Sequence, residues 1–392
     1  MSTRRETAHT LLAGVICALV GFTSSFAVVL AGLRAVGAGP AQAGSGLIVA
    51  LVTMGLGSLL FSWRYRIPIT MAWSTPGVAL LAAGVAPAGG FAAAVGAFVL
   101  TGLLLALTGL VRPFGELVQR IPTPLANAML AGVLLMLCVA PFQALMRSPA
   151  AIAPVLVCWL VLLRLAPRLA VPGALLAAVV VLAVTGALGR LDQSHLTPAL
   201  TPVLPRFDPA TLLAITVPLF LVTMTSQNIP GTAVLAGFGY RTPWLPAMAY
   251  TGGTTAAGAL LGGPGINLAA ISAALAAGPE AGPDPNRRWL AGVSCGITHL
   301  LLAPLSGVVI AVAQVAPDGL LATIAGLALV GTFAASATAA LAEPGSRLPA
   351  ALTIVIAASG LSVAGIGAPF WALLGGLVLH AVLSPRRGRR DQ

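Results

Sequence analysis

The sequence predicts an all-α integral membrane protein of about fourteen transmembrane segments, arranged as two inverted seven-segment repeats with broken half-helices in segments 3 and 10. Three observations predict it: a composition that cannot cover a soluble surface, arginines gathered in alternate breaks between apolar runs, and the same order of polar clusters and Gly/Pro breaks in both halves.

Of the 392 residues, 58% are hydrophobic and 7% charged, whereas soluble domains carry about 25% charged residues. The lipid bilayer is the partner such a chain needs. A net charge of +11 would point to nucleic acid in a soluble protein, but here all twenty basic residues are arginines, most of them in short breaks between apolar runs. That is the orientation signal of a membrane protein, and no nucleic-acid partner is expected. The run LLAGVICALVGFTSSFAVVLAGL behind Arg4 and Arg5 is longer than the roughly 7–15 apolar residues of a signal-peptide core. It is expected to be a first, uncleaved span.

A helix needs about 20 apolar residues to cross the hydrocarbon. Segments then begin near Leu11, Gly46, Ile67, Phe91, Pro122, Ile152, Pro172, Pro209, Pro243, Pro264, Trp289, Leu320, Leu348 and Pro369. The two near Ile67 and Pro264 are too short and too rich in Gly and Pro for ordinary spanning helices. With the N-terminus inside, the cytoplasmic breaks hold sixteen arginines: Arg4, Arg5, Arg64, Arg66, Arg112, Arg120, Arg164, Arg168, Arg241, Arg287, Arg288, Arg347, Arg386, Arg387, Arg389 and Arg390. Only Arg34, Arg147, Arg190 and Arg206 fall on the other side. Both termini are therefore expected in the cytoplasm, although treating the two short segments as re-entrant would keep much of the same bias with twelve spans.

The halves meet at a Pro-rich linker from Gly189 to Asp208. VGFTSSFAVVLAGL (Val20 to Leu33), then a span, then MAWSTPGVALLAAG (Met71 to Gly84) is matched by TMTSQNIPGTAVLAG (Thr223 to Gly237), a span, and LLGGPGINLAAISAAL (Leu260 to Leu275). Seven segments per half is odd, so the second copy is inverted. Inverted repeats with broken segments at matching positions point to a secondary transporter and its binding site.

Irregular backbone survives in hydrocarbon only where it is buried in protein or lines a wet cavity. Ser74-Thr75-Pro76-Gly77 and Gly262-Gly263-Pro264-Gly265 are thus expected to be extended stretches opening into half-helices whose N-termini face each other. A helix N-terminus stabilises an anion by about 0.3–2 kcal/mol, so two could hold a carboxylate without a buried arginine. Gly77 and Gly265 would leave room for it. Ser226, Gln227 and Asn228 occupy the place that Thr23, Ser24 and Ser25 hold in the other repeat, and both clusters could supply uncharged donors. Ile266 follows the second break, Asn267 falls three residues into the expected half-helix, and Phe26 and Trp73 could stack on an aromatic substrate. For each of these residues, packing or hydrogen bonding between helices is the competing role.

Metal, cofactor and catalytic signals are missing from the sequence. Cys17, Cys138, Cys158 and Cys295 lie in apolar runs without a CxxC pair, and there is no HExxH, GxSxG or paired intramembrane carboxylate. An enzyme is not expected; a passive channel stays open. All nine acidic residues fall at ends or in loops, which leaves His299, in GITHLLLAP, as the ionisable side chain deep in a span and the proton-coupling candidate. A neutral imidazole hydrogen-bonded between helices, with the proton entering alongside the substrate, is the competing reading.

The phrases TSQNIPGTAVL, AWSTPGVALL and GGPGINLAAISAAL, with the layout of the whole chain, resemble the benzoate:proton symporter family, BenE. The wider group it is similar to includes nucleobase:cation symporters and the sulfate and bicarbonate carriers, which share a seven-plus-seven inverted repeat. The resemblance implies a core domain from residues 1–113 and 209–313 and a gate domain from residues 114–188 and 314–392, the latter ending in a basic tail. Residues 189–208 are the linker. Substrate would sit between the third and tenth segments while core moves against gate. It implies import of benzoate or a similar small aromatic carboxylate with protons, by alternating access, in the bacterial inner membrane and without a cofactor. Nucleobase carriers usually hold acids where this chain has Gln227 and Ile266, which favours an anion over a nucleobase; another small anion or a nucleobase is the alternative. The assembly, monomer or homodimer, is left open.

Overall fold

The computed structural model describes residues 2–111, 113–115, 122–191, 199–363 and 365–383. Arg112, Glu116, Arg120, Asp192, the middle of the linker, Asp391 and the tail arginines Arg386, Arg387, Arg389 and Arg390 lie outside the described residues.

The first half runs α1 (Ser2–Ala35), α2 (Pro40–Tyr65), β1 (Met71–Trp73), α3 (Thr75–Ala83), α4 (Gly90–Leu110), α5 (Thr123–Arg147), α6 (Pro149–Leu165) and α7 (Ala170–Val184). The second runs α8 (Pro209–Gly237), α9 (Trp244–Ala259), β2 (Ile266–Leu268), α10 (Ile271–Ala277), α11 (Pro285–Val315), α12 (Leu320–Leu341), α13 (Arg347–Ala358) and α14 (Ala368–Leu383). Among the described residues, α1, α2, α4, α5, α8, α11 and α12 are the seven helices long and apolar enough to cross a membrane. Helices α6, α7 and α14 and the run that contains α13 are shorter and apolar.

Proline placement explains several helix starts, because its missing N–H is no loss in a first turn: Pro40, Pro124, Pro149 and Pro209 all sit there. The cap of α8 is Asp208, whose Oδ2 accepts from the Thr211 hydroxyl at 2.6 Å and the Thr211 N–H at 2.8 Å. These bonds hold the Asp208 carboxyl below the usual carboxylate range. Within α8 the chain widens into π-helical turns at Leu212–Thr216 and Met224–Asn228. Each turn ends just before a proline, Pro218 or Pro230, whose ring would strike the carbonyl four residues back in an α-helix. The wider turn moves that carbonyl aside.

Packing pairs elements across the halves: α5 lies along α12, α4 along α9 and α2 along α11, while α6 packs on α7 and α13 on α14. Gly102 of α4 and Gly252 of α9 make one such approach possible, since an added Cβ at either would strike the other's carbonyl.

At the centre, β1 pairs antiparallel with β2, with Met71 opposite Leu268, Ala72 opposite Asn267 and Trp73 opposite Ile266. A second small ladder joins Ser362–Val363 to Ile366–Gly367, so the fold is mostly helical rather than all-α. Both short segments are broken, but not where the sequence placed the breaks. Thr75, Pro76 and Gly77 form the first turn of α3, and the extended stretch precedes them. On the other side Gly262 (φ +83°) and Gly265 (φ +100°) turn the chain into β2, a backbone that glycine alone adopts freely. Helix α10 therefore starts at Ile271, and Asn267 lies in the strand rather than inside a half-helix.

Candidate substrate site at the crossing of the broken segments

A cavity of about 140 Å³ opens beside the strand crossing. Helix α1 contributes Cys17, Val20, Gly21, Ser24 and Ser25 to its wall, and α2 contributes Met54. The first broken segment adds Ala72, Trp73, Thr75 and Pro76, and the second adds Ala269, Ser272 and Leu275. Gln227 of α8, His299 of α11, and Ala328 and Thr332 of α12 close it. Of the residues expected at a site, the cavity thus gathers Ser24, Ser25, Trp73, Thr75, Gln227 and His299.

The polar groups around it are ordered. The indole Nε1–H of Trp73 donates to Ser25 Oγ at 2.8 Å, and Ser25 donates to the Gly21 carbonyl at 2.7 Å. Trp73 thereby offers its ring rather than its N–H. At the start of α3, Ser74 N–H donates to Asn267 at 2.9 Å in the amide orientation that satisfies both ends of Asn267. Gly77 N–H donates to Ser74 Oγ at 3.2 Å, Val78 N–H donates to the Ser74 carbonyl at 2.8 Å, and Pro76 has no N–H. The donors left without a protein partner among the described residues are the Thr75 N–H and hydroxyl. Buried Gln227, 9% exposed, accepts from Ala270 N–H at 3.4 Å, which leaves its two amide N–H donors for another partner.

The opposite wall is softer. His299, 5% exposed, has its Nδ1 at 3.9 Å from Cys295 Sγ, which lies 3.9 Å from Cys17 Sγ. Cys17 in turn reaches the Ser272 carbonyl at 3.5 Å.

The remaining expected residues lie away from the cavity wall. Thr23 donates to the Leu19 carbonyl at 2.7 Å, and Phe26 stacks on Phe22 with centroids 5.5 Å apart. Ser74 pairs with Thr223 at 2.8 Å. Asn228 Oδ1 accepts from Leu268 N–H at 2.8 Å, Ile266 N–H donates to Thr255 Oγ1 at 3.0 Å, and the Ser226 hydroxyl is buried without a hydrogen-bond partner. A Cβ on Gly77 would meet Leu219 and Ser74, and one on Gly265 would meet Thr255 behind the strand. Two equivalent helix N-termini are not what the crossing offers either: α3 has nine residues, about two and a half turns, whereas α10 has seven, under two turns.

Nearly the whole described length matches a known family: residues 5–382 match the benzoate membrane transport proteins, BenE. The chain belongs to the BenE family. It is 36% identical over 376 residues to the inner membrane protein YdcO of Escherichia coli (strain K12), with 96% of each chain covered. It is 30% identical over 328 residues to the benzoate membrane transport protein of Acinetobacter baylyi (strain ATCC 33305 / BD413 / ADP1), covering 83% of this chain and 82% of that one. Its fold is similar to the transmembrane domain of a cyanobacterium bicarbonate transporter, BicA, with a TM-score of 0.56 over 95% of this chain and 97% of that one. At 16% identity, that likeness speaks for the fold alone. This BenE-family chain is a membrane transporter, and the resemblance carried by its three motifs holds.

Sequence reasoning missed Cys17, Val20, Gly21, Met54, Ser272, Leu275, Ala328 and Thr332 at this wall. Cys17 and Gly21 lie one turn apart on the face of α1 that continues to Ser24 and Ser25, so helical periodicity could have found them. Met54 and Ala328 look like packing residues, and no signal in one sequence separates them from the core.

Proposed function

We propose that this BenE-family transporter imports benzoate or a similar small aromatic carboxylate across the bacterial inner membrane, together with protons, by alternating access. The observation that carries the reading is the cavity. Its roughly 140 Å³ is close to the engineered cavity of about 150 Å³ that holds benzene, and Thr75 and Gln227 supply uncharged donors at its edge while no carboxylate is among its lining residues. The name of the Acinetobacter baylyi relative supports the substrate, and that of the Escherichia coli relative supports the membrane.

The architecture we propose is fourteen segments in two inverted repeats, with a core of residues 1–113 and 209–313, a gate of residues 114–188 and 314–392, and both termini cytoplasmic. Its support is the arginine bias and the contact pattern. Exchanging each of the first seven segments with its counterpart in the second seven turns the α4–α9 pairing into α11–α2, the α6–α7 pairing into α13–α14, and leaves β1–β2 and α5–α12 unchanged. His299 is the residue we assign to proton coupling, as the imidazole in the cavity wall.

A carrier of another small anion or of a nucleobase is the second reading, and Gln227 in place of an acid weighs against the nucleobase. Uptake of radiolabelled benzoate into proteoliposomes under an imposed pH gradient, competed by uracil, sulfate and substituted benzoates, tests all of these. Saturable, gradient-driven accumulation is expected. Non-saturable equilibration would indicate a channel, and competition by uracil or sulfate alone would overturn the aromatic substrate.

A further inference from the structure

We infer that Gly21 sets the size of substrate the cavity accepts, an inference that rests on the cavity being the substrate site. Glycine inside a helix is less stable than alanine, so each interior glycine calls for a physical reason. Two others on α1 have one: a Cβ on Gly14 would strike the Ala291 carbonyl and the Ser294 hydroxyl, and a Cβ on Gly32 would strike the Val78 carbonyl. Helix packing demands both.

Gly21 has no such reason. No heavy atom lies within 4 Å of the Cβ it would carry, and it is not among the residues with positive φ. Gly253 of α9 and Gly331 of α12 are also open, but they are exposed on the outside of their helices. Gly21 faces the cavity. The open space beside it is the cavity itself.

The backbone there is held in place. The Gly21 carbonyl accepts from Ser25 Oγ at 2.7 Å and from Ser24 Oγ at 3.2 Å, and Ser25 in turn holds Trp73. A side chain added at residue 21 would therefore project into the cavity instead of pushing α1 aside. In a space of about 140 Å³, sized for one ring, even a methyl group competes with the substrate. The bare Cα of Gly21 is the surface against which a single unfused ring fits, and a larger residue here restricts the site to smaller anions.

The test is a series of Gly21→Ala and Gly21→Val, with Gly253→Ala as the control, read by benzoate binding to the purified protein and by Tm. Gly21→Ala is expected to weaken benzoate binding by about 10–200-fold, the range for one methylene in a tight pocket, and Gly21→Val to abolish it. Alanine is the better helix former and nothing crowds it, so the Tm of Gly21→Ala is expected to stay level or rise. Gly253→Ala should raise or keep Tm and leave binding alone. Loss of binding with intact Tm is the outcome a purely structural glycine would not produce. Wild-type affinity in both Gly21 variants, or a fall in Tm that tracks the loss of binding, would overturn the inference while leaving the function intact. A wild-type protein that binds no benzoate would overturn the functional reading, and the inference with it.

Discussion

Asn228 and Gln227 are chain neighbours with different tasks. Asn228 Oδ1 accepts from the Leu268 N–H at 2.8 Å, so it holds β2 in the crossing and does not line the cavity. A buried donor left without a partner costs about 1–3 kcal/mol, and Asn228→Ala is expected to lower stability by that order, measured as a drop in Tm, while the folded protein keeps its affinity for benzoate. Gln227 lines the cavity. Gln227→Glu puts a carboxylate against a carboxylate and is expected to weaken benzoate binding on the order of 10- to 100-fold at neutral pH. The defect belongs to the ionised form of the introduced acid. It should therefore be full at alkaline pH and fade as pH falls, in contrast to wild type titrated side by side; a pH-independent affinity would remove Gln227 from the site. The sequence marked these two residues as a polar cluster but could not assign them. The π turn at Met224–Asn228 departs from the 3.6-residue period, so which face each residue occupies is not readable from spacing.

Among the elements, the broken segments were legible because Gly/Pro clusters interrupt apolar runs too short to span. Their helix starts were not. The chain around Gly262 and Gly265 takes a left-handed backbone and then pairs as a strand, a tertiary choice that local sequence does not announce. Helix α10 illustrates the consequence: seven residues cannot hold themselves as a helix, and Arg288 anchors the C-terminal end. Its Nη1 donates to the Ala277 carbonyl at 2.9 Å and its Nε to the Gly282 carbonyl at 2.8 Å, with the residue 7% exposed. In the sequence, Arg288 counts only as a cytoplasmic charge. Arg288→Lys keeps that charge but not the planar fork that spans two carbonyls. It is expected to leave topology unchanged in an accessibility assay and to lower stability by about 1–3 kcal/mol. An unchanged Tm would show that α10 is held by packing alone.

Across the whole molecule, the cavity joins residues of the proposed core (α1, α3, α8, α10 and α11) to Ala328 and Thr332 of the proposed gate helix α12. Any sliding of one group against the other must reshape it. Coupling that motion to protons requires a group that titrates, and charges cost too much at the bilayer centre to be kept there without use. His299 meets the requirement by position: it is buried, it lines the cavity, and its hydrogen-bonding neighbour is a thiol at 3.9 Å, a weak partner for a residue whose purpose would be to bind helices together. An amide can keep such a contact without changing charge. His299→Gln is therefore expected to bind benzoate and exchange it across a proteoliposome membrane while losing accumulation driven by an acidic exterior. Exchange and accumulation are measured on the same vesicles, so a folding defect, which removes both, is separated from uncoupling, which removes one. If the well-folded variant still concentrates benzoate against its gradient, His299 leaves the mechanism. Proton entry with the substrate itself, or protonation at a peripheral acid such as Asp208, Glu280 or Asp318, are then the remaining accounts, and only the first has accumulation follow the undissociated acid as pH is varied.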